Sequence, residues 1–135
     1  MPPPPPEPRP SATILLVRDA PAGLEVFMVQ RHHQVDFATG ALVFPGGKVD
    51  PGDADPCLSG RCQGAAPDAL GRALQVAAIR ETFEECGVLL ARPRGEQRLV
   101  SAERLAQIDA RYRVPLQRAE TTLPAVAEAE DLLLA

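Results

Sequence analysis

Short apolar runs alternate with proline- and glycine-rich breaks along the first half of the chain, and the pattern changes period near residue 68. ATILLVRD (12–19) and LEVFMVQR (24–31) are rich in β-compatible residues and flank Pro21-Ala22-Gly23, which predicts a hairpin. A third strand is expected in ALVFPGG (41–47), stopping at Pro45, which has no N–H to give a ladder. The GGKVDPGDADP that overlaps its end is dense in turn residues and is expected to form no regular element. From Asp68 to Cys86 the apolar positions Leu70, Leu74, Ala77, Ala78 and Phe83 recur at helical spacing. Pro67 reads as the opening residue of that helix and Gly87 as its left-handed stop. Val88 to Leu90 then reads as a short strand, and weaker helices are expected at about 101–112 and 124–134.

With 135 residues, 45% of them hydrophobic, the chain has material for one core. MPPPPPEPRP cannot bury anything and favours an extended leader over 1–10, without the basic and apolar regions of a secretory signal. The core is expected over 11–92, interrupted by a long loop at 54–66, and is followed by a helical segment over 93–135. A net charge of −4, 4% aromatics and no Trp argue against a nucleic-acid partner. No apolar run reaches the ~20 residues of a membrane span. Three cysteines close no disulfide framework and suit a reducing, cytoplasmic setting.

The chemistry concentrates in RETFEECGVLL (80–90), where Glu81, Glu84 and Glu85 fall at i, i+3 and i+4 on one helical face. Three carboxylates so close repel one another, and a divalent cation relieves the repulsion. A solvated acidic face is the plainer reading of three such glutamates taken alone, and an Arg80–Glu84 pair is an ordinary surface feature. The stretch VFPGGKVDPGD upstream tips the balance, because it sets a glycine-rich turn straight after a strand. Strand, loop and acid-bearing helix together make a concave site with metal ligands on one wall.

These residues resemble the signature of the Nudix hydrolases. The second half of that pattern matches at Arg80, Glu81, Glu84, Glu85, Gly87 and Val88, with Thr82 in an apolar place. The first half matches at Gly47, preceded by Phe44-Pro45-Gly46, and Asp53 stands where the family has Glu. Between Asp53 and Arg80 lie 26 residues (54–79) where the pattern has 7, an insertion of 19. Closure entropy grows only logarithmically with loop length, so the site survives such an insertion. The elongated box is similar to the branch containing peroxisomal coenzyme A diphosphatases, although no Ser-Lys-Leu ends this chain.

The resemblance implies an α+β fold, a Nudix-type mixed sheet packed between helices, incomplete at the C-terminus because the later strands of the family are not legible here. It implies a hydrolase that cleaves the diphosphate linkage of a nucleoside diphosphate derivative, coenzyme A among them, with Mg²⁺ or Mn²⁺. In that reading Glu84 and Glu85 are metal ligands and Glu81 is a third ligand or the general base. Arg80 orients an acid, Asp53 or a helix glutamate, and the shorter Asp53 predicts a weaker or water-bridged pair. Gly46 and Gly47 shape the loop beside the diphosphate, and Lys48 is a candidate phosphate contact. A non-catalytic nucleotide- or partner-binding domain, or an inactive fragment, is the alternative. An open sheet edge favours self-association. Cys57, Cys62 and Cys86 lack a common zinc spacing, and Cys86 reads as packing filler. His32-His33 follow a strand end and read as exposed loop residues, and Asp50, Asp53 and Asp55 read as turn formers.

Overall fold

The computed structural model describes residues 1–30 and 40–135. Its strands, in chain order, are β1 (Ser11–Thr13), β2 (Val17–Ala20), β3 (Gly23–Val26), β4 (Val29–Gln30), β5 (Leu42–Val43), β6 (Gly46–Lys48), β7 (Ala91–Pro93) and β8 (Leu132–Leu134). The helices are α1 (Ala69–Cys86), α2 (Ala102–Ile108), α3 (Val114–Gln117) and α4 (Leu123–Ala129). The fold is α+β. Among the described residues the strands form four two-stranded antiparallel sheets, β1–β6, β2–β3, β4–β5 and β7–β8.

The expected hairpin is β2–β3, with Ala20 opposite Gly23 across the predicted turn. β1 separates from it and pairs instead with β6, Ala12 facing Gly47. The third strand stops at Val43, before Pro45, but the chain pairs again at once beyond the proline. GGKVDPGDADP is therefore not irregular throughout. It contains β6 and the 3₁₀ turn Pro51–Ala54, and a second 3₁₀ turn, Pro56–Leu58, starts at its last residue. Its glycines serve close approach as well as turning: a Cβ on Gly46 would run into the carbonyl oxygen of Ala12 on the paired strand.

α1 ends at its predicted stop, but its start falls just after the predicted opening residue. The Asp68 carboxylate accepts from Gly71 N at 2.7 Å as N-cap, so Pro67 precedes the cap rather than opening the first turn. Gly87, at φ 70°, donates its N–H to Phe83 O at 2.9 Å. The buried stripe differs from the expected one. It runs through Ala73, Val76, Ala77, Arg80 and Phe83, while Leu70 is 53% exposed. α1 packs on β1, β6 and the 51–54 turn, and these neighbours select the face. Thr82, fully buried in an apolar slot, is tolerated because its hydroxyl donates to Ala78 O at 2.6 Å.

Beyond α1 the chain returns to the same core. The strand expected at 88–90 starts only at Ala91, while Leu89 points into the core. α2, a π turn at Asp109–Arg113 and α3 follow one another without a break through Gln117. The last helix ends at Ala129 rather than near 134, and Leu132–Leu134 is instead β8, paired with β7. A three-leucine run carries no period of its own, and the pairing decides its conformation. Leu132 and Leu134 are buried beside Phe83, Ile108, Leu123 and Val126. Burying side chains of this size fully stabilises a fold by roughly 1.5–3 kcal/mol each.

The inserted segment is tied to this end of the chain. Gln63 N donates to Leu134 O at 2.9 Å and Leu134 N to Arg61 O at 2.7 Å. Arg61 Nη1 also reaches Leu132 O at 3.2 Å and Asp131 Oδ1 at 3.1 Å. Among the described residues no helix is long and apolar enough to cross a membrane.

Strand geometry at the C-terminus predicts a two-residue periodicity in stability. In urea titrations Leu132→Ala and Leu134→Ala each lose about 2–5 kcal/mol, whereas Leu133→Ala loses much less. Equal losses at all three positions would contradict β8.

Candidate active site

The site is assembled on Arg80. Its place on the core-facing stripe of α1 buries the guanidinium, leaving the residue 6% exposed. A buried guanidinium needs acceptors for all its N–H groups. Asp53, itself 2% exposed, takes two of them, from Nε at 2.9 Å and Nη2 at 3.1 Å. Nη2 also donates to Lys48 O at 2.9 Å, and Nη1 to Glu81 Oε1 at 2.9 Å and Glu84 Oε1 at 3.4 Å. The Asp50 carboxylate stands 3.5 Å from Nη2.

The Arg80–Asp53 pair is thus direct and bidentate, not weakened or water-bridged as the shorter side chain suggested. The 3₁₀ turn supplies the missing reach. Asp53 N donates to Asp50 O at 3.0 Å, while Asp53 Oδ2 accepts from Asp50 N at 2.7 Å, folding the turn onto the helix. Burial alone would pull the Arg80 pKa down. The hydrogen bonds and charge of Asp53, then those of Glu81, overcome it and hold the group above its ordinary value.

The predicted residues divide clearly. Glu81 and Glu84 are half-buried and turn toward Arg80. Glu85 is on the same helical turn but exposed. Gly47 faces the site directly: a Cβ there would fall on the Glu81 carboxylate. Gly46 faces β1 instead, and Lys48 joins through its carbonyl while its side chain is exposed. His32 and His33 lie outside the described residues. Cys57 is exposed, and Cys62 and Cys86 are half-buried free thiols, Cys62 packed against the core.

One guanidinium meets four carboxylates, Asp50, Asp53, Glu81 and Glu84, and the surplus is negative. Burial raises the Glu84 pKa; Arg80 opposes this, but Glu81 and Asp50 reinforce it, and the net direction is up. Among the described residues no three His, Cys, Asp or Glu side chains stand in the arrangement of a metal centre. Glu81 and Glu84 are engaged by Arg80 instead. Their carboxylate chemistry, partial burial and shared surplus charge fit a hard divalent cation that keeps some of its waters.

A cleft of about 350 Å³ opens beside this cluster. Asp50, Arg80 and Glu84 line one side, and Leu116, Ala119, Thr121, Thr122 and Leu123 the other. A larger hollow of about 530 Å³ lies under the inserted segment and touches Asp53 but none of the glutamates. The smaller cleft is where charge and space coincide. Its 116–124 wall has no signal in the linear sequence, because only the packing of α3 and α4 brings it to α1.

The NUDIX domain profile matches residues 7–132. The crystal structure of a NUDIX hydrolase from Alicyclobacillus acidocaldarius superposes with a TM-score of 0.70 at 30% sequence identity. That match covers 95% of this chain and 57% of the other, so the chain spans a little over half the length of that relative.

Two outcomes test this geometry. Asp53→Glu, which restores the family residue, overfills a closed site and lowers stability by about 1–3 kcal/mol in urea titration. Glu84 carries a raised pKa, so the folded state binds its proton more tightly than the unfolded chain. Stability is then lost as pH rises from the ordinary carboxylate range through the raised value. In metal-free buffer Glu84→Gln therefore melts above the wild type at pH 7, and the gap narrows as pH falls toward 4.

Proposed function

This chain belongs to the NUDIX family, and from that premise we propose that it is a divalent-metal-dependent hydrolase of the diphosphate linkage in nucleoside diphosphate derivatives. The observation that carries the reading is the surplus of carboxylates about Arg80 at the mouth of the cleft. A site built for structure alone needs one carboxylate to balance the charge of a guanidinium, and neutral acceptors suffice for its other N–H groups. This one has three more, two of them partly buried.

Glu84, Glu85 and Glu81 are the residues we assign to hold Mg²⁺ or Mn²⁺. Such an ion, when bound, neutralises the diphosphate and lowers the pKa of an attacking water. Arg80 fixes the site: clamped by Asp53, it presents Nη1 to Glu81 and Glu84 and sets the rest positions of both carboxylates. Glu81 lies against the Cα of Gly47, where a substrate backed onto the glycine loop would meet it. That position suits a proton acceptor as well as a ligand. The Gly46-Gly47 backbone of β6 and the Lys48 ammonium are assigned to the phosphates. Coenzyme A and its derivatives head the substrate class, on the similarity of the elongated box to the coenzyme A diphosphatase-like branch.

The test is release of a phosphate monoester from coenzyme A, ADP-ribose, NADH and the nucleoside triphosphates, with Mg²⁺ or with EDTA. Turnover is expected only with the metal. Glu84→Gln is expected to abolish most of it, and Glu81→Gln to lower kcat by about 10²–10⁴-fold if that carboxylate moves the proton. Turnover that persists in EDTA and in Glu84→Gln would refute the reading. Retained Mn²⁺-independent nucleotide binding without turnover would instead favour a binding domain.

A further inference from the structure

The last carbonyls of a helix have no partner within it. At the end of α1 these belong to the turn that carries Glu84 and Glu85, and their partners come from far along the chain. Gln117 Nε2 donates to Glu84 O at 2.7 Å, and Arg113 Nε donates to the same oxygen at 3.1 Å. Arg113 Nη2 donates to Glu85 O at 3.2 Å. Arg113 and Gln117 are four residues apart and so share one helical face. The π turn Asp109–Arg113 immediately precedes α3, and a wider turn of this kind shifts the phase of the residues that follow it. Asp109 Oδ2 accepts from Arg113 Nη1 at 3.4 Å and steadies the guanidinium. Gly87 completes the fit, since a Cβ there would come within 3.0 Å of Arg113 Nη1.

We propose that Arg113 and Gln117 are positioning residues of the acid site: by holding the backbone of Glu84 and Glu85 they fix where those carboxylates present themselves to a divalent cation. The assignment rests on the metal-hydrolase reading above. Two donors converge on the carbonyl of Glu84, the one helix glutamate that both contacts Arg80 and lines the cleft. Gln117 is exposed, so its amide adds little packing, and the bond to Glu84 is its distinguishing contact. Any rotation of the last turn of α1 would swing both carboxylates together. The helical segment that follows the acid motif thereby becomes part of the site without supplying a ligand.

The full chain is compared with Gln117→Leu, which keeps bulk and removes the donor, with Arg113→Met, and with Arg113→Lys. Mn²⁺ affinity is read from the electron paramagnetic resonance of the free ion, alongside thermal melts and steady-state kinetics. Gln117→Leu and Arg113→Met are expected to weaken Mn²⁺ binding by about 10-fold, the lower end of what losing an outer hydrogen-bond partner of a metal ligand does. kcat falls with it, KM for the nucleotide does not change, and Arg113→Lys recovers part of the loss. Unchanged Mn²⁺ affinity in both variants, whatever their melting temperatures, with Glu84→Gln impaired, would overturn the assignment alone and leave the pair as helix caps. Wild-type protein that binds no Mn²⁺, or Glu84→Gln that binds it as well as wild type, would overturn the metal reading and this assignment with it.

Discussion

A guanidinium taken out of water has to be given acceptors for every N–H, and Arg80 collects them from three separate segments. The end of β6 offers the carbonyl of Lys48, the 3₁₀ turn offers Asp53, and α1 offers Glu81 and Glu84. Because Arg80 and Asp53 are both buried, neither can be released to solvent without leaving the other uncompensated. The loop, strand and helix are therefore locked in one relative placement. Gly47 is part of the same lock, since only a residue without a Cβ lets β6 lie against the Glu81 carboxylate. What reads as a catalytic motif is equally the device that fixes the local fold.

Function and stability pull in opposite directions at this point. Asp53 alone would balance Arg80, and the further carboxylates raise the electrostatic energy of the folded state. The raised pKa of Glu84 expresses that burden, with burial as its largest cause. A divalent cation held there, as proposed above, would relieve that surplus, and pre-set negative charge would bind it without waiting for the protein to rearrange.

The segments on either side of the acid motif build the surroundings. The insertion before α1 ends up beside β8 through Arg61 and Gln63, so a length change in the motif is absorbed into packing rather than left as a free loop. The segment after α1 supplies β8, much of the buried core and one wall of the cleft. Its Arg113 and Gln117 close the open end of the acid-bearing helix.

Local signals in the linear chain were sufficient wherever the cause was local. Gly87 ended α1 where expected because a left-handed stop acts within one turn of the helix, and the spacing of Glu81, Glu84 and Glu85 put them on one face for the same reason. Pro21-Ala22-Gly23 placed the hairpin turn. Contacts between distant segments decided the rest. Leu70 looks like a core residue and is exposed, whereas Arg80 looks like a surface residue and is buried, because the turn at 51–54 and β6 choose which stripe of α1 they cover. The leucines at 132–134 become a strand only because β7 is there to pair with them. Asp53 reaches Arg80 directly because its turn folds inward, which residue type alone could not say. The amino-acid sequence determined the acid motif and its helix, since these depend on neighbours a few residues apart. Only the tertiary structure decided how Asp53 and the Lys48 carbonyl close on Arg80, the cleft wall and the closing of α1, since each joins residues 27 or more positions apart that no local rule relates.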